Sequence, residues 1–319
     1  MKYIRLGNSD LEVSRLCLGC MSFGEAEKGQ YQWTLNYEDS SAIIHKAYHS
    51  GINFFDTSNN YSNGTSEIFL GKAIKDFGRE KIVIATKCYF NEGKLSPEAI
   101  HREVEGSLKR LDTPYIDLLI LHRFDYDTPV EDTLKALNEE VQMGHIRYYG
   151  ASSMYGHQFA QYCYTAKEKG YLPFVTLQNH YNPIYREDER DLIPIAKQFS
   201  VSRTSFAPYA AGRLARPDWT SDSLRYRLDK EEGTRYDASE EADQKIALRI
   251  NELSRKYDVS MSNICLAWHF AKGVAAPIIG ITKEKYLEDA LKCFDVKLSE
   301  KDIRYIDELY IPHSVTCNR

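Results

Sequence analysis

Four side chains that can hold or move a proton follow apolar stretches of this chain. Asp56 and Tyr61 come after the run INFF, Lys87 follows KIVIAT, and His122 follows DLLIL. If these runs are parallel strands of one barrel, their carboxyl ends meet at the same mouth and the four side chains converge there. Each residue alone has an ordinary structural explanation, such as a turn cap for Asp56. Together they form a group of coupled charges around a phenol.

The chemistry of such a group can be derived from its members. A free phenol has a pKa of about 10, which makes it a slow proton donor at neutral pH. We expect the Lys87 ammonium to lower the pKa of Tyr61, and Asp56 to keep Lys87 charged and in place. A neutral His122 could donate a hydrogen bond to the same substrate oxygen. The group is suited to a carbonyl that takes a proton on oxygen and a hydride on carbon, and the hydride requires a reduced cofactor.

Eight apolar runs rich in β-branched residues recur along the chain. They lie at 15–19, 52–55, 81–86, 117–121, 146–151, 174–178, 203–207 and 275–280. Segments with helical periodicity separate them, for example EDSSAIIHKAYHSG, AIHREVEGSLKRL, VEDTLKALNEEVQMG and HQFAQYCYTAKEKG. Strands that are apolar on both faces indicate a parallel sheet covered on both sides.

Eight regular strand–helix units without a break in composition predict one closed (β/α)8 barrel, a TIM barrel, formed as a single domain over residues 1–319. An open doubly wound sheet is the alternative. The segments KYIRL and LEVS, joined by GNSD, predict a short β-hairpin before the barrel. After the seventh run, residues 212–243 form a charged connection that is too long for a plain βα turn. It is either a solvated insertion or a lid over the active face.

The composition narrows the classes of function. The 319 residues carry a net charge of −5, and lysine and arginine are scattered among the acids, so no basic stripe predicts nucleic-acid binding. No apolar leader or membrane-length run is present, which predicts a cytoplasmic protein without membrane contact. Seven cysteines argue against a disulfide framework. Cys17 and Cys20 form a C-x-x-C inside an apolar strand pattern, which favours core packing over a redox or metal site.

Other sites have little support in the sequence. The 18 glycines include no G-x-G, so the dinucleotide fingerprint is missing, and G-x-S-x-G is missing too. His45 and His49 are the histidines spaced four apart, but Lys46 stands where a zinc protease needs glutamate. We therefore predict no metal site.

Seven motifs together resemble the aldo-keto reductases along nearly the whole chain. They are FFDTSNNY, ATK, LLILHR, GASS, LQNHYNPIYRE, FAPYAAGRL and PIIGITKEKYLEDA, in this order and spacing. The runs CLGCMSFGE and HRFDYDTPVEDTLKALN are most similar to the bacterial YajO-type branch of that family. The resemblance implies NAD(P)H-dependent reduction of aldehydes and ketones, with Tyr61 as proton donor, Asp56 and Lys87 tuning it, and His122 orienting the carbonyl.

The resemblance also implies a set of cofactor-binding residues. Near the nicotinamide these are Gly19, Cys20, Met21, Asp56, Ser152, Ser153, Gln178 and Phe206, the last of which would stack on the ring. Along the phosphates and the adenosine they are Ala207, Pro208, Tyr209, Gly212, Arg213, Gly280, Thr282, Lys283, Tyr286 and Asp289.

The adenosine segment bears on the choice of cofactor. Thr282 and Lys283 would hold the 2′-phosphate of NADPH, with help from Arg213. Tyr286 stands where family members commonly have arginine, and Ala290 where asparagine is frequent. NADPH is the predicted cofactor, and use of NADH is possible.

The sequence also predicts residues on the substrate side of the site. Trp33, Tyr89, Phe124 and Trp219 would form an aromatic wall around Tyr61 and His122 for a small-molecule carbonyl. Arg123 would either contact an anionic substrate or pair with Asp125. The sequence names neither the substrate nor the oligomeric state. A cofactor-binding regulatory protein with little turnover, similar to potassium-channel β-subunits, is the alternative function, and measurable turnover of simple aldehydes would separate the two.

Overall fold

The computed structural model describes residues 1–29, 31–219, 227–229, 236 and 239–316. The predicted N-terminal hairpin is confirmed: β1 (Tyr3–Arg5) pairs antiparallel with β2 (Glu12–Ser14). Leu6, Leu11 and Val13 from the hairpin are fully buried in one cluster with side chains from the barrel strands. The hairpin therefore covers one end of the barrel interior with apolar side chains.

All eight predicted strands are present and form one parallel sheet. They are β3 (Cys17–Gly19), β4 (Phe54–Asp56), β5 (Val83–Cys88), β6 (Ile116–Leu121), β7 (Ile146–Ser152), β8 (Thr176–Gln178), β9 (Ser202–Arg203) and β10 (Ile278–Gly280). Their order is β10, β3, β4, β5, β6, β7, β8, β9. The N–H groups of Ala275 and Ile278 donate to the carbonyls of Arg203 and Ser205 at 2.9 Å, which joins the two ends of the sheet. The fold is the predicted (β/α)8 barrel.

The seventh strand is shorter than its predicted range of 203–207. The backbone beyond β9 still follows the neighbouring chain, since the N–H of Phe206 donates to the carbonyl of Asn179 at 2.9 Å. Ala207 then adopts a φ of 54°, in the left-handed region, which strand geometry excludes. The turn sends the chain away from the barrel and leaves Phe206 at its mouth.

Helices alternate with the strands around the barrel. The described ones are α1 (Tyr37–His49), α2 (Thr65–Ala73), α3 (Pro97–Leu111), α4 (Val130–Gln142), α5 (Gly156–Lys169), α6 (Leu192–Gln198), α7 (Glu240–Tyr257), α8 (Met261–Ala271), α9 (Glu284–Ala290) and α10 (Glu300–Asp307). The four helices predicted from periodicity correspond to α1, α3, α4 and α5. Local sequence explains where they start: the side chain of Ser96 accepts from the N–H of Ala99, and Pro97 occupies the first helical turn.

Two further predictions concern cysteines and the long connection. Cys17 and Cys20 are fully buried, and burial raises the pKa of both thiols well above the ordinary value, so they pack as apolar groups rather than as reactive thiolates. The connection predicted at 212–243 enters α7 at Glu240. Most of its middle lies outside the described residues. Whether the connection forms a lid therefore stays a prediction. Among the described helices, none is long and apolar enough to cross a membrane.

The contact between α2 and α3 generates a stability prediction. A Cβ added at Gly71 on α2 would lie 2.3 Å from the carbonyl oxygen of Leu111. We expect Gly71→Ala to lower the free energy of unfolding by about 1–3 kcal/mol, because the helices must separate. The matched control is Gly106→Ala on α3, where the added Cβ meets only the flexible end of Arg110. There alanine should be neutral or stabilise by up to about 1 kcal/mol through helix propensity. Urea unfolding of both variants checks the pair, and equal effects would contradict the close approach.

Candidate active site

A buried ion pair lies at the centre of the mouth formed by the carboxyl ends of the strands. Asp56 ends β4 and Lys87 lies on the adjacent strand β5, where the register of the two strands brings their ends together. The ammonium of Lys87 donates to Asp56 Oδ1 at 2.6 Å, to the carbonyl of Thr57 at 2.7 Å and to Tyr61 Oη at 3.1 Å. The side chain of Lys87 is 0% exposed. All three protons of the ammonium are therefore used, and one of them points at the phenol.

The second oxygen of Asp56 is engaged as well. Gln178, at the end of β8, donates from Nε2 to Asp56 Oδ2 at 2.7 Å. Burial alone would favour neutral Lys87, but the carboxylate of Asp56 and the phenol of Tyr61 outweigh it and raise the pKa of Lys87 above its ordinary value. Lys87 therefore stays charged in the apolar interior. The structure brings Asp56 and Lys87 together at the mouth of the barrel.

Tyr61 projects from a tightly turned loop between β4 and α2. A 3-10 turn spans Tyr61–Gly64, and Ser62 and Asn63 inside it have φ values of 46° and 53°, in the left-handed region. Helix α2 begins at Thr65, so the polar run after β4 is a loop that brings the phenol back to Lys87. The pKa of Tyr61 differs from our expectation. Burial raises it above the ordinary value, and this exceeds the lowering by the Lys87 ammonium. Tyr61 is therefore a phenol at neutral pH, and Lys87 acts by limiting the rise.

His122 completes the group from the end of β6. Its ring contacts Tyr61 edge-on with centroids 6.0 Å apart, and Phe90 edge-on at 4.9 Å. Burial and the cations Lys87 and Arg123 hold the pKa of His122 well below its ordinary value. The imidazole is therefore neutral. Its Nδ1 lies 3.3 Å from the hydroxyl of Ser58.

A single cavity of about 1380 Å³ extends from this group across the mouth of the barrel. The predicted residues that line it are Gly19, Met21, Asp56, Tyr61, His122, Arg123, Ser152, Ser153, Gln178, Phe206, Ala207, Pro208, Tyr209, Gly212, Gly280, Thr282, Lys283, Tyr286 and Asp289. The cavity thus joins the strand-end chemistry to the segment after β10. Its volume exceeds the roughly 300–1,000 Å³ typical of small-ligand pockets, so it can hold more than one small molecule.

Several predicted residues are not part of this lining. Cys20 and Ala290 are buried, the latter on α9. Lys87 is buried as well and contacts the cavity residue Tyr61 through a hydrogen bond. The guanidinium of Arg213 lies 5.1 Å from the ring of Trp219 and 5.3 Å from that of Tyr236. Arg213 is not in the cavity lining, whereas Arg216, three residues later, is.

The four predicted aromatic wall residues lie outside the lining too, and Trp219 packs against Arg213 instead. Trp33 is buried against Tyr31, with ring centroids 5.2 Å apart. Tyr89 packs against the core between the sheet and the helices. Phe124 packs on Tyr162, 5.8 Å away between ring centroids. Residues that the sequence analysis did not single out take their place: Ser22, Tyr31, Phe90, Asn91, Arg216, Ser260 and Lys285 line the cavity. Phe90 is the next residue after Tyr89, and the chain bends there beyond the end of β5.

The lining contains residues whose chemistry could hold a nicotinamide dinucleotide. Lys283, Lys285 and Arg216 bring positive charge into the lining. Phe206 presents a flat ring that is itself stacked on His180, with centroids 5.2 Å apart and planes 9° apart. At Gly280 an added Cβ would meet only Ser22 Oγ at 3.9 Å, so the backbone there is open to close approach. Within the described residues, no group of three histidine, cysteine or acidic side chains could hold a metal ion.

Comparison with known proteins gives consistent matches. The model of the Aldo/keto reductase family matches residues 15–311. An aldo-keto reductase of Fusarium vanettenii is 40% identical, covering 98% of this chain and 92% of that protein. The versiconal hemiacetal acetate reductase of Aspergillus parasiticus is 38% identical, covering 99% of this chain and 98% of that protein. The crystal structure of a thermostable aldo-keto reductase with the inhibitor epalrestat has a TM-score of 0.79 at 29% identity, covering 97% of this chain and 100% of that chain.

These matches correct one expectation. The sequence motifs were most similar to the bacterial YajO-type branch, but the two curated relatives described above are fungal, so that branch is not supported. The motifs that indicated it surround the strand ends that build the site. Residues that build the same kind of site are expected in several branches of a family, so they do not distinguish one branch from another.

The buried ion pair generates a stability prediction. Replacing Lys87 by methionine leaves the carboxylate of Asp56 without its cation in an apolar setting. We expect Lys87→Met to lower the free energy of unfolding by about 3–5 kcal/mol, because the remaining charge is buried and uncompensated. The double variant with Asp56→Asn removes that charge and should recover part of the loss. Urea unfolding of the single and double variants measures it, and a double variant less stable than Lys87→Met would contradict the explanation.

The depressed pKa of His122 generates a pH prediction. The unfolded chain protonates this histidine below about pH 6.5, whereas the folded protein resists the proton. The stability that neutral His122 contributes is therefore complete above about pH 6.5 and is lost as the pH falls below it, with a slope of up to about 1.4 kcal/mol per unit. His122→Gln should show a shallower decline of unfolding free energy between about pH 7 and about pH 5. Identical slopes for the variant and the wild type would show that His122 is not held neutral.

Proposed function

Because the chain belongs to the aldo/keto reductase family, we propose that it reduces the carbonyl group of small aldehydes and ketones to the alcohol, with Tyr61 as the proton donor. The observation that carries the proposal is the contact of 3.1 Å between the Lys87 ammonium and Tyr61 Oη at the wall of the large cavity. A phenol held beside a buried cation is a proton donor whose anion is stabilised in advance. His122 lies on the same wall.

NADPH is the proposed cofactor, and it would supply the hydride when bound. Ser152 and Gln178 would hold its carboxamide, and Phe206 would lie against the nicotinamide. Lys283 would receive the 2′-phosphate, and Lys285, two residues later along the chain, brings a second cation into the lining. These two lysines support NADPH over NADH, although Tyr286 and Ala290 depart from the usual family pattern, so use of NADH stays part of the proposal.

The residues of the chain have separate tasks in the proposed reaction. Tyr61 releases its proton to the carbonyl oxygen as negative charge develops there, which its raised pKa permits only beside a strong acceptor. The phenolate that remains is stabilised by the ammonium of Lys87. Asp56, held in turn by Gln178, keeps this ammonium charged and directed at the phenol.

His122 has a different task, since it is neutral. It cannot repel the cation beside Tyr61, and it can donate one hydrogen bond to the carbonyl oxygen from Nε2 while Nδ1 faces Ser58. Two donors, the phenol and the imidazole, would then fix the carbonyl with its carbon facing the nicotinamide side of the cavity. Such orientation contributes to catalysis because it removes the freedom of the substrate before reaction.

We further propose that aromatic carbonyl compounds fit the substrate end of the cavity. The rings of Phe90 and Tyr31 line it, and the guanidinium of Arg123 lies 5.4 Å from the centroid of Phe90. A flat apolar substrate can pack against these rings. The relative from Aspergillus parasiticus, which is named a reductase, supports an enzyme over the regulatory alternative.

Turnover of a simple aldehyde tests the proposal. We expect the wild type to oxidise NADPH in the presence of 4-nitrobenzaldehyde, and Tyr61→Phe to lose about 10²- to 10⁴-fold in kcat, the usual contribution of a general acid. NADPH binding, followed by fluorescence, should be retained. The matched control is Tyr126→Phe, which removes a phenol that is 66% exposed and not part of the cavity lining.

Three other outcomes would count against the proposal. Full activity in Tyr61→Phe would exclude Tyr61 as the proton donor. Tight NADPH binding without turnover of any carbonyl in a broad panel would favour the regulatory alternative. Failure of the wild type to bind either NADPH or NADH would overturn the cofactor assignment.

A further inference from the structure

Two polar side chains, Asn60 and Ser58, form a hydrogen-bonded chain that ends at His122. Ser58 and Asn60 lie in the loop that carries Tyr61. The hydroxyl of Ser58 lies 2.6 Å from Asn60 Oδ1 and 3.3 Å from Nδ1 of His122. Ser58 is fully buried, whereas Asn60 is partly exposed and lines the cavity. Ser58 therefore connects a group that can meet the substrate with the ring that is proposed to orient it.

The number of available protons decides the direction of these bonds. A serine hydroxyl has one proton to donate and can also accept, and a neutral imidazole has one N–H and one bare nitrogen. A separation of 2.6 Å is typical of an O–H···O bond and shorter than the usual N–H···O distance of about 2.9 Å. Ser58 therefore donates its proton to Asn60 Oδ1. Its oxygen is left as an acceptor for Nδ1–H of His122.

The other neighbours of His122 do not oppose this direction. Tyr61 and Phe90 contact the ring edge-on, and Lys87 and Arg123 are cations that disfavour a second proton on it. Neutral His122 with its proton on Nδ1 presents a bare Nε2 to the cavity. A bare nitrogen can accept from a hydroxyl, but it cannot donate to a carbonyl.

We propose that Ser58 and Asn60 are positioning residues that set the tautomer of His122, holding the proton on Nδ1 in the free protein until the amide of Asn60 turns. This inference rests on the proposed function, in which a carbonyl needs a donor at Nε2. A half-turn of the amide places its NH2 group toward Ser58, which then donates its own proton to Nδ1. The imidazole stays neutral: it loses the proton on Nδ1 and gains one on Nε2, by exchange with water.

The position of Asn60 suits such a turn. Its side chain lies at the cavity wall, so the amide can rotate without moving the buried backbone of the loop. Ser58 has no such freedom, since it is fully buried and bonded to Nδ1 of His122. Ser58 is therefore fixed in place, whereas the amide of Asn60 can turn and can be reached by a bound ligand.

Nitrogen NMR of the ligand-free protein tests the proposal directly. Protein labelled with ¹⁵N-histidine reports which ring nitrogen of each histidine carries a proton, and the His122 signals are those that disappear in His122→Gln. We expect Nδ1 of His122 to show the shift of a protonated nitrogen and Nε2 that of a bare one. Asn60→Ala frees Ser58 to donate to Nδ1, so the proton should move to Nε2. Ser58→Ala should remove the preference and give averaged shifts.

A control variant separates this role from a merely structural one. Ser66 is equally buried, and its hydroxyl bonds Thr57 and the carbonyl of Cys20 rather than His122. Ser66→Ala should therefore leave the His122 shifts unchanged. Protonated Nε2 in the free wild type, or an unchanged tautomer in Asn60→Ala, would overturn the proposal.

The experiment does not depend on turnover. If the tautomers follow expectation while the wild type reduces no carbonyl, the proposed function alone fails. If the wild type is active and Asn60→Ala keeps the wild-type tautomer, only the proposal that Ser58 and Asn60 set the tautomer fails. Should Ser58→Ala not fold, Asn60→Ala still decides, because it changes a partly exposed side chain.

Discussion

The ion pair between Lys87 and Asp56 is the constraint on which the rest of the site depends. A fully enclosed ammonium is tolerated only when each of its protons has a partner, and here the partners are a carboxylate, a backbone carbonyl and a phenol. Adjacent parallel strands bring the first and the last of these residues to one rim. The loop after β4 must then return the phenol to the same point. The left-handed residues Ser62 and Asn63 are the local cost of that return.

The same burial that makes the pair costly also determines the charge of its neighbours. Tyr61 is kept protonated and His122 is kept neutral because charging either one in this setting is unfavourable. Lys87 opposes this for the phenol and reinforces it for the imidazole, since a phenolate is attracted to the cation and an imidazolium is repelled. The same ammonium thus acts in opposite directions on two residues of one wall, and burial leaves both of them uncharged at neutral pH.

The large cavity places this chemistry beside a surface of a different character. Its lining combines cations, among them Lys283 and Lys285 after β10, with aromatic rings, among them Phe90 and Tyr31. The barrel explains this mixture, since each loop at the mouth comes from a different strand and can vary independently. The family match covers residues 15–311, which include all eight strands of the barrel.

The sequence alone determined the elements and the position of the central residues at the strand ends. Periodicity and β-branched runs located all eight strands. Because the carboxyl ends of the strands of a barrel meet at one mouth, a residue that follows a strand must lie there. Asp56, Lys87 and His122 therefore followed from local pattern, and Tyr61 from its short distance along the chain. The N-terminal hairpin and four helices followed from the same kind of signal.

Only the tertiary structure decided which side chains face the cavity and in which state. Phe90 rather than Tyr89, Tyr31 rather than Trp33, and Arg216 rather than Arg213 line it, because loop side chains turn according to what packs behind them. The pKa of Tyr61 rose where we expected it to fall, since desolvation depends on every surrounding atom and the nearest cation is one contribution among these. The hydrogen-bond direction at His122 likewise depends on two distances that no sequence pattern contains.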